Sequence, residues 1–233
     1  MPASALQLRL ITPESWLYTA TDREMPAHWF GLPWWGFLWP GGYAVAQYLA
    51  DNPAVAAGRR VLDFAAGCGV GGIVAAQAGA AEVICNDICP MACTASVVNA
   101  ELNNVRTGGE WLWKQQQHGG DKGDNGDTGT AAAATATATA GSNMPTRGAA
   151  TPVAVRTSVG DGHGDGGGGP GGGGTLWWLS DDLLAPALHG PLSGPRSCIR
   201  PGDLVIVGDA MYDITIANLL LPWLRELASE GAL

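Results

Sequence analysis

Val61-Leu62-Asp63-Phe64-Ala65-Ala66-Gly67-Cys68-Gly69-Val70-Gly71-Gly72 is the stretch that decides the fold of this chain. A short apolar run ends in Asp63, a glycine-dense turn follows, and residues 73–78 are apolar again. That order reads as a strand, a tight loop and a helix start, the layout of a nucleotide-type cofactor site. Glycine lets the backbone approach a ligand and take positive φ at low cost. The first amides of the helix then point at whatever sits in the loop.

Working outward, residues 60–64 and 82–86 read as strands, and residues 71–78 and 90–103 as helices, the second opened by Pro90. Strand, helix, strand, helix implies an α/β fold with a parallel sheet, helices on both faces and right-handed crossovers. Two more apolar runs, at 175–179 and 203–208, supply further strands. Residues 213–230 read as a helix with an apolar stripe at Ile216, Leu219, Leu220, Trp223, Leu224 and Leu227, kinked at Pro222. Upstream, residues 5–11 alternate like an edge strand, and Thr12-Pro13 looks like a helix cap and first turn. Residues 25–40, crowded with Trp, Pro and Gly, read as an ordered aromatic loop before a helix at 42–49.

The pattern breaks between 107 and 174, where poly-Ala/Thr and Gly-rich runs leave too few large apolar groups to offset the entropy of ordering. This segment is expected to be a disordered insertion, with Trp111 and Trp113 as groups able to pack on the domain. The chain therefore divides into an aromatic and helical lead (1–58), a cofactor-binding βαβα half (59–106), the insertion (107–174) and a closing segment (175–233).

Two ligand classes compete for the loop. Gly67, Gly69 and Gly72 fit G-x-G-x-x-G, and Asp87 stands where a ribose-binding acid belongs, so an NAD(P)-dependent oxidoreductase is one reading. Asp63 argues against it, because a carboxylate just ahead of the loop repels a pyrophosphate. It suits S-adenosylmethionine (SAM), which carries an ammonium and a sulfonium and no phosphate. A net charge of −9, with no Lys/Arg cluster, disfavours nucleic acid held by charge alone. No apolar run is long enough to span a bilayer. The five cysteines are odd in number and lack scaffold spacing, so they read as reduced thiols of an intracellular protein. Cys85, Cys89 and Cys93 lack a C-x-x-C pair or a nearby His, and His118 and His163 lack a paired ligand, so no metal site is expected. The first residues show neither a secretory nor a transit-peptide pattern.

Four segments carry a resemblance: Pro33-Trp-Trp-Gly-Phe-Leu-Trp-Pro-Gly-Gly42, the Gly-rich motif at 61–69, Cys85-Asn-Asp-Ile-Cys-Pro90 and Val207-Gly-Asp-Ala-Met-Tyr-Asp213. With these the sequence resembles the electron transfer flavoprotein beta subunit lysine methyltransferases, a branch of the class I SAM-dependent methyltransferases. The resemblance implies a Rossmann-like fold, a SAM cofactor, a lysine of a protein substrate and the mitochondrial matrix, with the cytoplasm as the alternative; a monomer is expected. It departs in two ways. The family lacks the long insertion, and its sheet continues past the last helix read here.

Four acids, Asp63, Asp87, Asp181 and Asp209, fall at or just past strand ends, where ligands of open α/β sheets bind. Asp63, with the Gly67 and Gly69 backbone, is expected to face the amino-acid end of SAM. Asp87 is expected to accept the ribose hydroxyls, and Ile88 to cover the adenine. The resemblance implies that Asp181 (or its neighbour Asp182) receives the adenine amino group and that Trp39 lines the cleft; with Trp34 and Trp35 close by, Trp39 could equally be a core or loop anchor. It further implies that Asp209 and Tyr212, an Asp-x-x-Tyr element, hold the substrate lysine. Asp209 could instead cap the helix that follows. Other readings are a methyltransferase of a ribosomal protein or small molecule, and a non-catalytic remnant.

Overall fold

A computed structural model describes residues 6–25, 31–110, 151–153 (backbone), 174–185 and 194–232. Its strands are β1 (Leu6–Leu8), β2 (Arg60–Phe64), β3 (Glu82–Asn86), β4 (Thr107–Glu110), β5 (Thr151–Val153), β6 (Thr175–Leu179) and β7 (Leu204–Val207). Its α-helices are α1 (Pro40–Asp51), α2 (Val70–Gln77), α3 (Pro90–Leu102) and α4 (Ile214–Ser229).

The main sheet has the order β4-β6-β3-β2-β7 and is parallel throughout. From β2 the chain moves outward to β3 and β6, then returns to place β7 on the other side of β2. The strand order therefore reverses between β2 and β7, and the crevice at their carboxyl ends is the place where such sheets bind ligands.

Alternation along the strands builds two cores. Val61, Val83, Cys85, Leu176 and Ile206 face one side, where Ile73, Val74, Ala46, Leu49 and Ala100 of α1, α2 and α3 cover them. Leu62, Phe64, Ile84, Leu179 and Val205 face the other, against Leu220, Trp223 and Leu227 of α4. Helices thus lie on both faces, as the pattern implied. Trp223 anchors the second core, with its ring edge-on to Phe64 at 5.6 Å and the Arg196 guanidinium 5.0 Å from its centroid.

Several boundaries differ from expectation. The first short turn is a 3-10 helix, Trp16–Tyr18, capped by Ser15 and not by Thr12. Leu219 of α4 is exposed and off the buried stripe. Residues 107–110, read as the start of the insertion, form the edge strand β4 beside β6. Residues 151–153 form β5, which pairs antiparallel with β1 and gives that edge strand its partner. The remainder of the expected insertion, 111–150 and 154–173, lies outside the described residues, as do Trp111, Trp113, His118 and His163. No helix among the described residues is long and apolar enough to cross a membrane.

Candidate cofactor and substrate crevice

The glycine loop after β2 is held from three sides. Gly67 and Gly69 take positive φ, 54° and 79°, and Gly69 is the left-handed residue that starts α2. A Cβ on Gly69 would lie 2.8 Å from the Ser96 side chain, so α3 packs directly on the loop. From α3, the Ser96 hydroxyl donates to the Gly67 carbonyl at 3.3 Å, and the Asn99 amide donates to the Cys68 carbonyl at 2.9 Å. Sequence spacing marks neither residue as part of a site. A buried Ser and Asn three apart on one helical face was the available signal.

Asp63 does not reach into the crevice as expected. It shares a strand face with Val61 and lies beneath α2, 5% exposed, where its Oδ2 accepts the Gly72 amide at 2.7 Å. Both of its oxygens sit within 3.2 Å of the point where a Gly71 Cβ would be. Asp63 therefore satisfies an orphan donor in the first turn of α2, at the positive end of that helix's dipole. Burial pushes its carboxyl up to about 7; the Gly72 bond opposes the shift and the Asp87 charge adds to it.

Asp87 bridges two loops. Its Oδ2 accepts the Gly67 amide at 3.0 Å, and its Oδ1 accepts the Cys89 amide at 3.0 Å. Burial raises its pKa, and these two amides pull it back. Each oxygen keeps a free lone pair. Asn86, buried at the end of β3, donates to the carbonyls of Leu179 at 3.0 Å and Asp181 at 2.9 Å, tying the β3 and β6 loops together. The Asp181 carboxylate is half-buried and has no hydrogen-bond partner among the described residues. Asp182 is occupied by the Leu184 amide at 2.9 Å. Ile88 is 53% exposed at the mouth of the β3 loop.

Asp209 caps a helix, though not the one expected. Asp213 caps α4, its Oδ1 accepting from Thr215 at 2.6 Å and Ile216 at 3.3 Å. Asp209 reaches instead to the start of α1, accepting the Gly41 amide at 3.0 Å and the Gly42 amide at 2.7 Å. Tyr212, on the same turn, is 78% exposed. Trp39 immediately precedes α1. Its indole donates to the Trp34 carbonyl at 2.8 Å, and its ring lies against Trp34 and Phe37. Asp209, Trp39 and the Gly67 loop thus gather at the β2/β7 end of the sheet, with Asp87 and Asp181 at the adjacent strand ends.

All five cysteines are buried free thiols. Burial holds Cys68, Cys93 and Cys198 up at about 12 and raises Cys85 and Cys89 as well. Cys93 bonds the Asp87 and Leu179 carbonyls, a packing role.

The sheet order and the glycine loop define a Rossmann-like α/β domain, the fold that class I methyltransferases share with other nucleotide-binding proteins. Comparison with known proteins agrees. Residues 47–124 match the family model described as ribosomal protein L11 methyltransferase (PrmA). Curated relatives include the electron transfer flavoprotein beta subunit lysine methyltransferase of Danio rerio, 48% identical over 43% of this chain and 38% of that protein. The human protein of the same name is 41% identical over 43% of this chain and 37% of its own length. A homolog from Caenorhabditis elegans is 37% identical over 43% and 40%. Over about two fifths of its length the chain is homologous to these lysine methyltransferases, and the match spans about two fifths of theirs.

Proposed function

We propose that the chain is a SAM-dependent protein-lysine N-methyltransferase acting on the electron transfer flavoprotein beta subunit, or a similar protein, in the mitochondrial matrix. The observation that carries the reading is where the carboxylates sit. A pyrophosphate in this fold needs the amides of the glycine loop and the first turn of its helix. Here the Gly67 and Gly72 amides already donate to Asp87 and Asp63. No Lys or Arg lies in the loops 65–69, 87–89, 180–185 or 208–213. An acid-lined crevice without a phosphate seat fits a cationic nucleoside better than a dinucleotide.

The residues that would hold SAM are the Gly67 and Gly69 backbone, Asp87 through its spare lone pairs toward the ribose, Ile88 against the adenine, Asp181 toward its amino group, and Trp39. When bound, SAM supplies a methyl group on a leaving group that is already cationic, so no metal or covalent intermediate is needed. The chain's own work is alignment and exclusion of water. Asp209 accepts a hydrogen bond from the substrate amine and fixes its direction, while Tyr212 borders the entry.

A free lysine, with a pKa of ~10.4, must lose a proton before it attacks, and a bare carboxylate would oppose that loss. The two α1 amides offset part of the Asp209 charge, so the carboxylate can orient the amine with less hold on its proton.

The likeness of residues 47–124 to a ribosomal protein L11 methyltransferase favours a ribosomal protein as the second reading. Incubation with radiolabelled SAM and a mitochondrial extract, followed by identification of the labelled band, separates the two. Label on a flavoprotein subunit supports the proposal, label on a ribosomal protein supports the second reading, and no transfer to any protein contradicts both.

A further inference from the structure

Two motifs far apart in the chain interlock through glycine. Asp209 takes the Gly41 and Gly42 amides, one on each oxygen. A Cβ on Gly41 would fall 2.8 to 2.9 Å from the three carboxylate atoms. A Cβ on Gly208 would fall 2.9 Å from the Gly42 nitrogen and 3.0 Å from its Cα. The backbones of 41–42 and 208 are therefore in direct contact, and no side chain fits between them.

The start of α1 depends on this contact. Trp39, its N-cap residue, offers no side-chain cap of its own. Pro40 at the first position of this 12-residue helix has no amide, and the next two amides, Gly41 and Gly42, are both served by Asp209 from the turn after β7. The same backbone continues into the aromatic loop, with the Trp39 indole fixed to the Trp34 carbonyl. The Trp35 Cα is 3.9 Å from where a Gly67 Cβ would be. A connected run of contacts thus leads from Asp209 through α1 and Trp39 to the glycine loop.

We infer that Asp209 is a positioning residue for the cofactor side of the crevice, acting through the Gly41 and Gly42 amides on Trp39 and the aromatic loop. The inference rests on the proposed function for the identity of the ligand. It makes a demand that a purely substrate-orienting carboxylate does not: altering Asp209 must weaken cofactor binding when no substrate is present.

The test is calorimetry of adenosylhomocysteine with the full chain and with Asp209→Ala, Asp209→Asn and Gly41→Ala, each checked for fold by circular dichroism. Asp209→Ala is expected to weaken binding about tenfold, the equivalent of one lost helix cap, and Asp209→Asn, which keeps one acceptor, about threefold. Gly41→Ala retains every charge and displaces the carboxylate, and is expected to match Asp209→Ala. Wild-type affinity in folded Asp209→Ala and Gly41→Ala overturns the inference; if Asp209→Ala does not fold, Asp209→Asn and Gly41→Ala decide it. If the unaltered chain binds no adenosylhomocysteine, the proposed function fails instead. The coupling of Asp209 to the start of α1 is then judged by thermal unfolding of Gly41→Ala, Asp209→Ala and the double variant, where simple additivity overturns it and strong non-additivity upholds it.

Discussion

Asp63→Asn removes a buried charge while keeping the shape of the side chain and an acceptor for the Gly72 amide. In the folded protein, burial holds the Asp63 carboxyl at about 7, against an ordinary value of 3.8. Between those values the folded state keeps a proton that the unfolded chain has released. The folded state binds more protons there, so its stability falls as pH rises from about 4 to about 7 and levels off above. At 1.36 kcal/mol per unit, the full interval is worth about 4 kcal/mol, and the part between pH 5 and pH 8 roughly 3 kcal/mol. Asp87, also raised by burial, slopes the same way in both proteins, so the difference between them reports the Asp63 carboxyl together with its coupling to Asp87. Urea unfolding at pH 5 and pH 8 is the assay. Asp63→Asn is expected to gain roughly 3 kcal/mol on the unaltered protein between those two values. Equal pH dependence in the two proteins would refute a buried, titrating Asp63 beneath α2.

Three further outcomes follow from the packing. Gly69→Ala forces an L-residue into positive φ and drives a methyl against Ser96, and is expected to cost about 3 kcal/mol in chemical denaturation. Trp223→Ala empties the core beneath α4 and should cost roughly 3 to 5 kcal/mol, lowering the thermal midpoint. Asp87→Ala unties the Gly67 and Cys89 amides and removes the proposed ribose acceptor. Adenosylhomocysteine affinity should drop at least tenfold, more than the loss of about 1 to 3 kcal/mol in stability alone would produce at temperatures where the variant is folded.

The central strands were legible because burial on both faces leaves nearly continuous apolar runs. Residues 60–64, 82–86 and 175–179 were read with the bounds they have in the structure. β4 was not legible, since Thr-Gly-Gly-Glu has no strand signal. Its Gly108 lies under the Trp177 ring, which occupies the space a side chain would need, so the residue that hides the strand from a propensity reading is the one that lets the sheet extend. The acids at the strand ends are visible in the sequence, but their partners are not. Asp63 lay nine residues from its amide and Asp209 lay 168 and 167 from its two, and spacing alone does not reveal which helix start a carboxylate will serve. The same holds for Ser96 and Asn99, whose value to the glycine loop exists only once α3 is packed on it.

This crevice is expected to take SAM and its demethylated product, nucleosides that carry an ammonium and no phosphate, and to refuse a phosphorylated coenzyme. Parallel titration calorimetry of the purified protein with adenosylhomocysteine and with NADH tests it most directly. Saturable heat at one site for adenosylhomocysteine and none for NADH is the predicted result. Saturable heat for NADH with none for adenosylhomocysteine would contradict it.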